Sequence, residues 1–233
     1  MDELIHREAP SPNWDERALP VSMIVLHYTG MPSAEEAIER MCDPAAKVSA
    51  HYCIDEDGTV TRLVPEDKRA WHAGRSYWRG ITDVNSASVG IELVNPGHEW
   101  GYRPFPDAQM EALVPLLAAI KARHDVPRAN IVGHSDVAPA RKEDPGELFD
   151  WEMLAHYKLV LPTPKPRMSL VYDEPGAFYL ALERFGYDIV DGRAAIRAFQ
   201  RRWRPRIIDG ELDGEIGALL FELLLERDIG RAR

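Results

Sequence analysis

His27, His134 and Asp144 lie far apart in this chain, and all three are of the types that hold a catalytic divalent metal. A catalytic zinc takes three protein ligands from His, Asp, Glu or Cys and keeps a fourth position for water. The stretch from Ile131 to Gly146 supplies two of the three, His134 and Asp144. Ile131 and Val132 read as the end of a buried strand, and Gly133 presents His134 at its edge. Pro139 and Pro145 lack amide donors and fix φ, so His134 to Asp144 is predicted to be an irregular loop that can bring imidazole and carboxylate together. The third ligand must come from elsewhere, and His27 is the best placed candidate. It follows Val21-Ser22-Met23-Ile24-Val25-Leu26, an apolar run of strand length, and precedes Tyr28-Thr29-Gly30, where that strand should end. Lys142, two residues before Asp144, sets an ammonium beside whatever the pair holds. Taken singly, a histidine in a chain with eight of them is most often a surface or hydrogen-bonded core residue; two at the ends of buried strands can meet over one sheet edge.

The elements that must position these residues are legible in part. Ser88 to Val94 reads as another buried strand, with Glu92 in an otherwise apolar run. A carboxylate there costs several kcal/mol unless it is paired or used, so Glu92 is either a working acid or half of a structural ion pair. His51 to Ile54 and Thr59 to Val64 read as a hairpin joined by Asp55-Glu56-Asp57-Gly58, whose Asp-Gly supplies positive φ. Pro32-Ser33-Ala34-Glu35-Glu36 starts a capped helix with Ala37, Ile38 and Met41 on its buried side. Asp107 can cap a helix to about His124, with Pro115 predicted to kink it. Phe149 to Leu159 reads as a closing helix, and residues 10 to 20 as an extended arm anchored by Trp14. Pro65 to Asn85 shows no period and is read as a long loop.

The order of these motifs resembles the zinc-dependent N-acetylmuramoyl-L-alanine amidases, the family that includes phage lysozyme-type amidases and peptidoglycan recognition proteins. The resemblance spans about residues 10 to 160. It is carried by the strand-end His27, Val48-Ser49-Ala50-His51-Tyr52, the run from Leu63 through Trp71-His72-Ala73-Gly74, Gly90-Ile91-Glu92, Gly133-His134-Ser135-Asp136 and Lys142-Glu143-Asp144-Pro145-Gly146. It implies an α/β (α+β) fold of the peptidoglycan recognition type, a central mixed sheet flanked by helices. It also implies one Zn(2+) on His27, His134 and Asp144, with Glu92 as proton carrier and Lys142 as oxyanion stabiliser. The segment with Trp71 and His72 would wall the substrate groove, His72 either touching substrate or tying down its loop. His51 is read as a structural histidine or a substrate contact, and Lys47, Arg69, Arg75 and Arg79 as surface charges or partners for stem-peptide carboxylates. The chain departs from phage lysozyme-type members in having Ala50 where they place a Tyr that assists catalysis, which leaves proton transfer to Glu92. It has Asp144 where other members use Cys. The implied partner is peptidoglycan or a muropeptide. Two alternatives share the resemblance, a recognition protein without catalysis and a recycling amidase restricted to anhydro-muropeptides.

Composition bounds the remaining possibilities. A formal charge of -10 argues against general binding to nucleic acid, which needs a clustered basic surface. No apolar run is long enough to span a bilayer, and the first twenty residues contain no apolar segment of the secretion type, so a cytoplasmic location is expected unless the N-terminus was trimmed. Cys42 and Cys53 show no metal-knuckle spacing and read as buried thiols. Alternating prolines in Leu161-Pro162-Thr163-Pro164-Lys165-Pro166 predict a semi-rigid linker over 161–174, dividing a catalytic domain at 1–160 from a helical one at 175–233. Helical periodicity returns in Ala177 to Phe185, Arg193 to Trp203 and Glu215 to Glu226, a small three-helix bundle. Leu182, Phe185-Gly186-Tyr187, Ala198-Phe199-Gln200 and Asp209-Gly210-Glu211-Leu212-Asp213 resemble the peptidoglycan-binding domain often fused to cell-wall hydrolases.

Overall fold

The apolar runs of strand length become the centre of a sheet. In the structure, a computed structural model describing residues 2–165 and 174–231, the strands in chain order are β1 (Arg7–Glu8), β2 (Trp14–Glu16), β3 (Met23–Tyr28), β4 (Tyr52–Ile54), β5 (Val60–Arg62), β6 (Lys68–Ala70), β7 (Ser88–Leu93) and β8 (Ile131–Gly133). Six of them form one mixed sheet in the order β1-β5-β4-β7-β3-β8. β4, β7, β3 and β8 run parallel, while β4 and β5 form the expected antiparallel hairpin through Gly58 at φ +87°. Parallel strands need cover on both faces, which is why β3 and β7 read as near-continuous apolar runs.

Alternation along β3 divides its side chains between two cores. Ile24 and Leu26 join Val89, Ile91 and Leu93 under the helix Asp107–His124, which contributes Met110, Leu113, Leu117 and Ile120. That helix starts with Pro106 in the N-cap place, and Asp107 is its first turn instead of its cap; it continues through Pro115. Met23 and Val25 face the other way, into a core shared with Val132, Val137, Phe178, Leu182, Phe185, Phe199 and Leu223. The three C-terminal helices, Pro175–Phe185, Gly192–Trp203 and Gly214–Arg231, therefore form the second covering layer of the sheet. Leu161, read as the start of a linker, is buried in this same core, and the part of that linker from Pro166 to Asp173 lies outside the described residues.

The arm at residues 10 to 20 is fixed by polar side chains. Asn13 donates from Nδ2 to the carbonyls of Met41, Asp43 and Val48, and the Arg17 guanidinium donates to those of Glu66, Lys68, Ser86 and Ser88. Buried carbonyls at helix and loop ends need donors, and these two side chains supply them. Trp14, expected to be the anchor, is 39% exposed on β2. β2 in turn pairs with β6, so Lys68–Ala70 is a strand inside the segment read as a loop; its partner is remote in sequence. Ser33 caps the helix Ala34–Cys42 as predicted, accepting from the Glu36 amide at 3.2 Å. Both cysteines are free thiols, Cys53 buried and Cys42 only half-buried. Among the described residues, no helix is long and apolar enough to cross a membrane.

Candidate metal centre and groove

Parallel register delivers the site. His27 is paired with Glu92 across β3 and β7, and Leu26 with Gly133 across β3 and β8, so His27, Glu92 and His134 collect at the carboxyl ends of three adjacent strands. Open α/β sheets bind ligands at this edge. His134 opens a single helical turn, His134–Val137, where the prolines led us to expect irregular chain; Pro139 falls just beyond it and leaves it intact. The Ser135 amide donates to the Asp144 carbonyl at 2.8 Å and folds the far end of the loop back onto its start. As a result His27 Nδ1 lies 2.9 Å from His134 Nδ1, and Asp144 Oδ2 lies 3.0 Å from each of them. All three side chains are buried.

The protons around this triangle can be assigned from its outer contacts. His134 Nε2 faces the Ala73 carbonyl at 3.1 Å, an acceptor, so Nε2 carries the hydrogen and Nδ1 is bare. Ser88 Oγ donates to the Val84 carbonyl at 2.5 Å, so its oxygen accepts from His72 Nε2 at 3.1 Å. His72 Nδ1 is then bare and accepts from His27 Nε2 at 2.9 Å, which leaves His27 Nδ1 bare as well. Gly90 permits this relay, since a Cβ there would meet the His72 ring at 2.5 Å. Three lone-pair atoms thus face one another with no hydrogen between them, an arrangement that a shared cation relieves.

The donor set and its dimensions fit a zinc ion. A tetrahedral zinc with ligand atoms at about 2.0–2.1 Å needs them about 3.3 Å apart, a few tenths of an ångström beyond the spacing here. Two neutral imidazoles and a carboxylate suit it chemically. Burial, then the neighbouring His134, lowers His27 to a pKa of about 4, and burial followed by His27 holds His72 well below the ordinary histidine range. Metal binding uses the neutral form of an imidazole and the ionised form of a carboxyl, so this donor set would offer an ion two neutral nitrogens and one anion.

Glu92 stands beside it with its Oε2 buried and without a hydrogen-bond partner among the described residues. Burial, reinforced by the Asp144 charge and partly offset by Lys142, raises its pKa well above the carboxylate norm. Glu92, His134, Lys142 and Asp144 line one groove of about 440 Å³, together with Trp71 and His72. The remaining predicted contacts lie off the groove lining. His51 is fully buried, its Nδ1 accepting from the Gly90 amide at 2.9 Å and its Nε2 facing the Lys68 carbonyl at 3.1 Å and Arg17 at 3.0 Å. Arg69 pairs with Asp15 and Asp83; Lys47 and Arg75 are exposed; Arg79 bonds to Phe185 and Asn130. Arg40 and Arg141 supply the groove's guanidinium groups instead, with Tyr28 and His98 on its wall. Arg141 was discoverable from its place inside the metal loop; Arg40 carried no such signal, because the helix pattern does not say which exposed face overlooks the site.

Burial, then Arg17, lowers His51 to a pKa of about 3. A histidine depressed on folding contributes stability that is complete above its unfolded pKa near 6.5 and is lost as pH falls toward about 3. The expected slope from this one group approaches about 1.4 kcal/mol per pH unit. His51→Gln is expected to remove that share of the slope in urea unfolding followed between about pH 4 and 6. An unchanged slope would show that His51 titrates alike in both states.

A family model described as N-acetylmuramoyl-L-alanine amidase matches residues 17–147. The Escherichia coli N-acetylmuramoyl-L-alanine amidase AmiD is 35% identical over 241 aligned positions, covering 89% of this chain and 83% of that protein. The 1,6-anhydro-N-acetylmuramyl-L-alanine amidase AmpD of Haemophilus influenzae is 35% identical over 166 positions, covering 63% of this chain and 88% of its own. Among solved structures, the complex of E. coli AmiD with anhydro-N-acetylmuramic acid-L-Ala-D-gamma-Glu-L-Lys superposes with a TM-score of 0.80 at 33% identity, covering 91% of this chain and 92% of that one.

Proposed function

This chain belongs to the N-acetylmuramoyl-L-alanine amidase family, and from that premise we propose that it hydrolyses the amide between the lactyl group of N-acetylmuramic acid and L-alanine, using one zinc held by His27, His134 and Asp144. The observation that carries the metal reading is the triangle of three buried donor atoms 2.9–3.0 Å apart. A bound zinc supplies a Lewis acid and brings the pKa of a water in its open position toward about 7.

The chain's own residues then divide the remaining work. Glu92 takes the proton of the attacking water and delivers it to the departing alanine nitrogen, a role suited to a carboxyl whose affinity for protons burial has raised. Lys142, on the groove wall, sets a fixed positive charge toward the carbonyl oxygen as negative charge gathers there. Ala50 is buried and offers no hydroxyl, so Glu92 alone carries the proton. His72 orients His27, and the Ala73 carbonyl orients His134. A complete candidate ligand set beside a half-buried acid whose Oε2 has no partner among the described residues favours catalysis over recognition alone.

The substrate class we assign is the anhydro-muropeptide, supported by the likeness to AmiD in complex with such a molecule and to AmpD. Residues 1–160 hold this chemistry, and residues 175–233 are assigned as an accessory unit of the peptidoglycan-binding kind. Its signature side chains Phe199 and Gln200 are fully buried, Gln200 holding the Asp209–Glu211 turn, so these two pack the unit instead of facing a ligand.

Mass analysis of a purified anhydro-muropeptide after incubation tests reaction and metal together. The expected products are the free anhydro sugar and a peptide with N-terminal alanine. Turnover should vanish on treatment with chelator and return with about one equivalent of zinc per chain. Cleavage that is indifferent to chelation sinks the metal assignment, and cleavage at another bond sinks the reaction.

A further inference from the structure

Asp136 lies two residues beyond His134, and its fully buried carboxylate takes no part in the chemistry above. Its Oδ2 accepts from the Gly133 amide at 2.8 Å, and its Oδ1 accepts the hydroxyl of Tyr187 at 2.5 Å, with the Arg202 guanidinium 3.8 Å away. Tyr187 and Arg202 come from the C-terminal helical segment. At the other end of the same loop, Glu143 adjoins Asp144 and pairs with Arg201 at 2.7 Å; Arg201 also lies 3.6 Å from Glu147. Each metal-binding residue of the loop is therefore flanked by a carboxylate that the C-terminal segment grips. The two parts are also keyed backbone to side chain: Gly186 sits against the Trp78 ring, where a Cβ would come within 2.8 Å, and Arg79 donates to the Phe185 carbonyl at 2.8 Å.

We infer that Tyr187 and Arg201 are positioning residues for the metal centre, and that the C-terminal helices brace the loop carrying His134 and Asp144. After β8 ends at Gly133, this loop has only one helical turn of its own regular structure, too little to hold two ligands within the few tenths of an ångström that a metal site tolerates. Packing alone accounts for the Tyr187 ring but not for its hydroxyl, which a phenylalanine would omit while filling the same space. A buried Asp136 likewise needs its partners to be tolerable. This inference rests on the assignment of His27, His134 and Asp144 as ligands.

The test compares the full-length wild type with Tyr187→Phe and Arg201→Gln, and with Phe178→Leu as a control buried in the same core whose side chain offers no hydrogen bond or ion pair to the loop. Zinc affinity is read by competition with a chelating dye, alongside kcat, KM and the melting temperature. Tyr187→Phe is expected to weaken zinc binding by about 10-fold or more and to lower kcat with KM within about twofold of wild type. Arg201→Gln should act in the same direction, and it keeps the question open to experiment should the buried variant fold poorly. Phe178→Leu should lower the melting temperature and leave zinc affinity unchanged. Wild-type zinc affinity and kcat in both loop-facing variants overturn the brace, as does an equal loss of affinity in Phe178→Leu at matched stability. A wild type that takes up no divalent metal overturns the ligand assignment itself and the brace with it, a result distinct from either of these.

Discussion

Glu92→Gln is expected to retain metal at wild-type affinity and to lose kcat by about 10²–10⁴-fold, the usual worth of a positioned general acid-base. The substitution keeps size and position on β7 while removing the group that can take and return a proton. Its buried Oε2 has no hydrogen-bond partner among the described residues, so no structural ion pair is broken in making it. The sign of the stability effect separates catalysis from folding. Burial and Asp144 raise the folded pKa of Glu92 above its unfolded value, so the native state is penalised increasingly as pH rises through that interval. At neutral pH the Gln variant should therefore melt no lower than wild type while turning over far more slowly. Metal analysis, kcat and a melting curve on one preparation decide it. Near-wild-type turnover would remove Glu92 from the mechanism, and a large fall in melting temperature would return it to a structural role.

Asp144→Ala is expected to abolish both metal retention and turnover, with zinc affinity falling by more than the 10–100-fold typical of losing an outer partner. Asp144 is the one anion of the triangle; without it two neutral imidazoles face each other across 2.9 Å with nothing to offset the charge of a divalent ion. Asp144→Cys should instead retain zinc, since a thiolate restores both a donor and the negative charge. Equilibrium dialysis against zinc measures all three proteins. An Ala variant that still holds one equivalent as tightly as wild type would show that the triangle is not the metal site.

Much of this centre was legible in the chain because chemistry and local pattern agreed. His27 closes an apolar run, His134 follows Gly133, and Glu92 interrupts a strand that burial should have kept apolar; each is a local anomaly that a backbone with period two makes visible. The hairpin at Asp57-Gly58 and the Ser33 cap were legible for the same reason, being fixed by residues adjacent in sequence. The N-terminal arm was misread at Trp14, because an aromatic suggests an anchor while the true anchors, Asn13 and Arg17, act on carbonyls whose position depends on segments about thirty to seventy residues away. β6 escaped notice likewise, its partner being that same arm.

The basic residues show the limit most plainly. Lys47, Arg69 and Arg75 stand near groove motifs in sequence yet lie off its lining, whereas Arg40 reaches it from a helix. Sequence proximity says nothing about which face of an element overlooks a site.

Taken alone, the chain determined the candidate ligands, the acid proposed to serve them and the strands that end at them, because these depend on side-chain chemistry and on hydrophobic period. Tertiary structure decided the rest: the hydrogen-bonded chain from Ser88 through His72 to His27, and the use of the C-terminal helices as the second cover of the sheet, packed against the loop that starts at His134. Both come from contacts between segments far apart in the chain, and such contacts are set by how whole layers pack, a property that no local stretch of residues encodes.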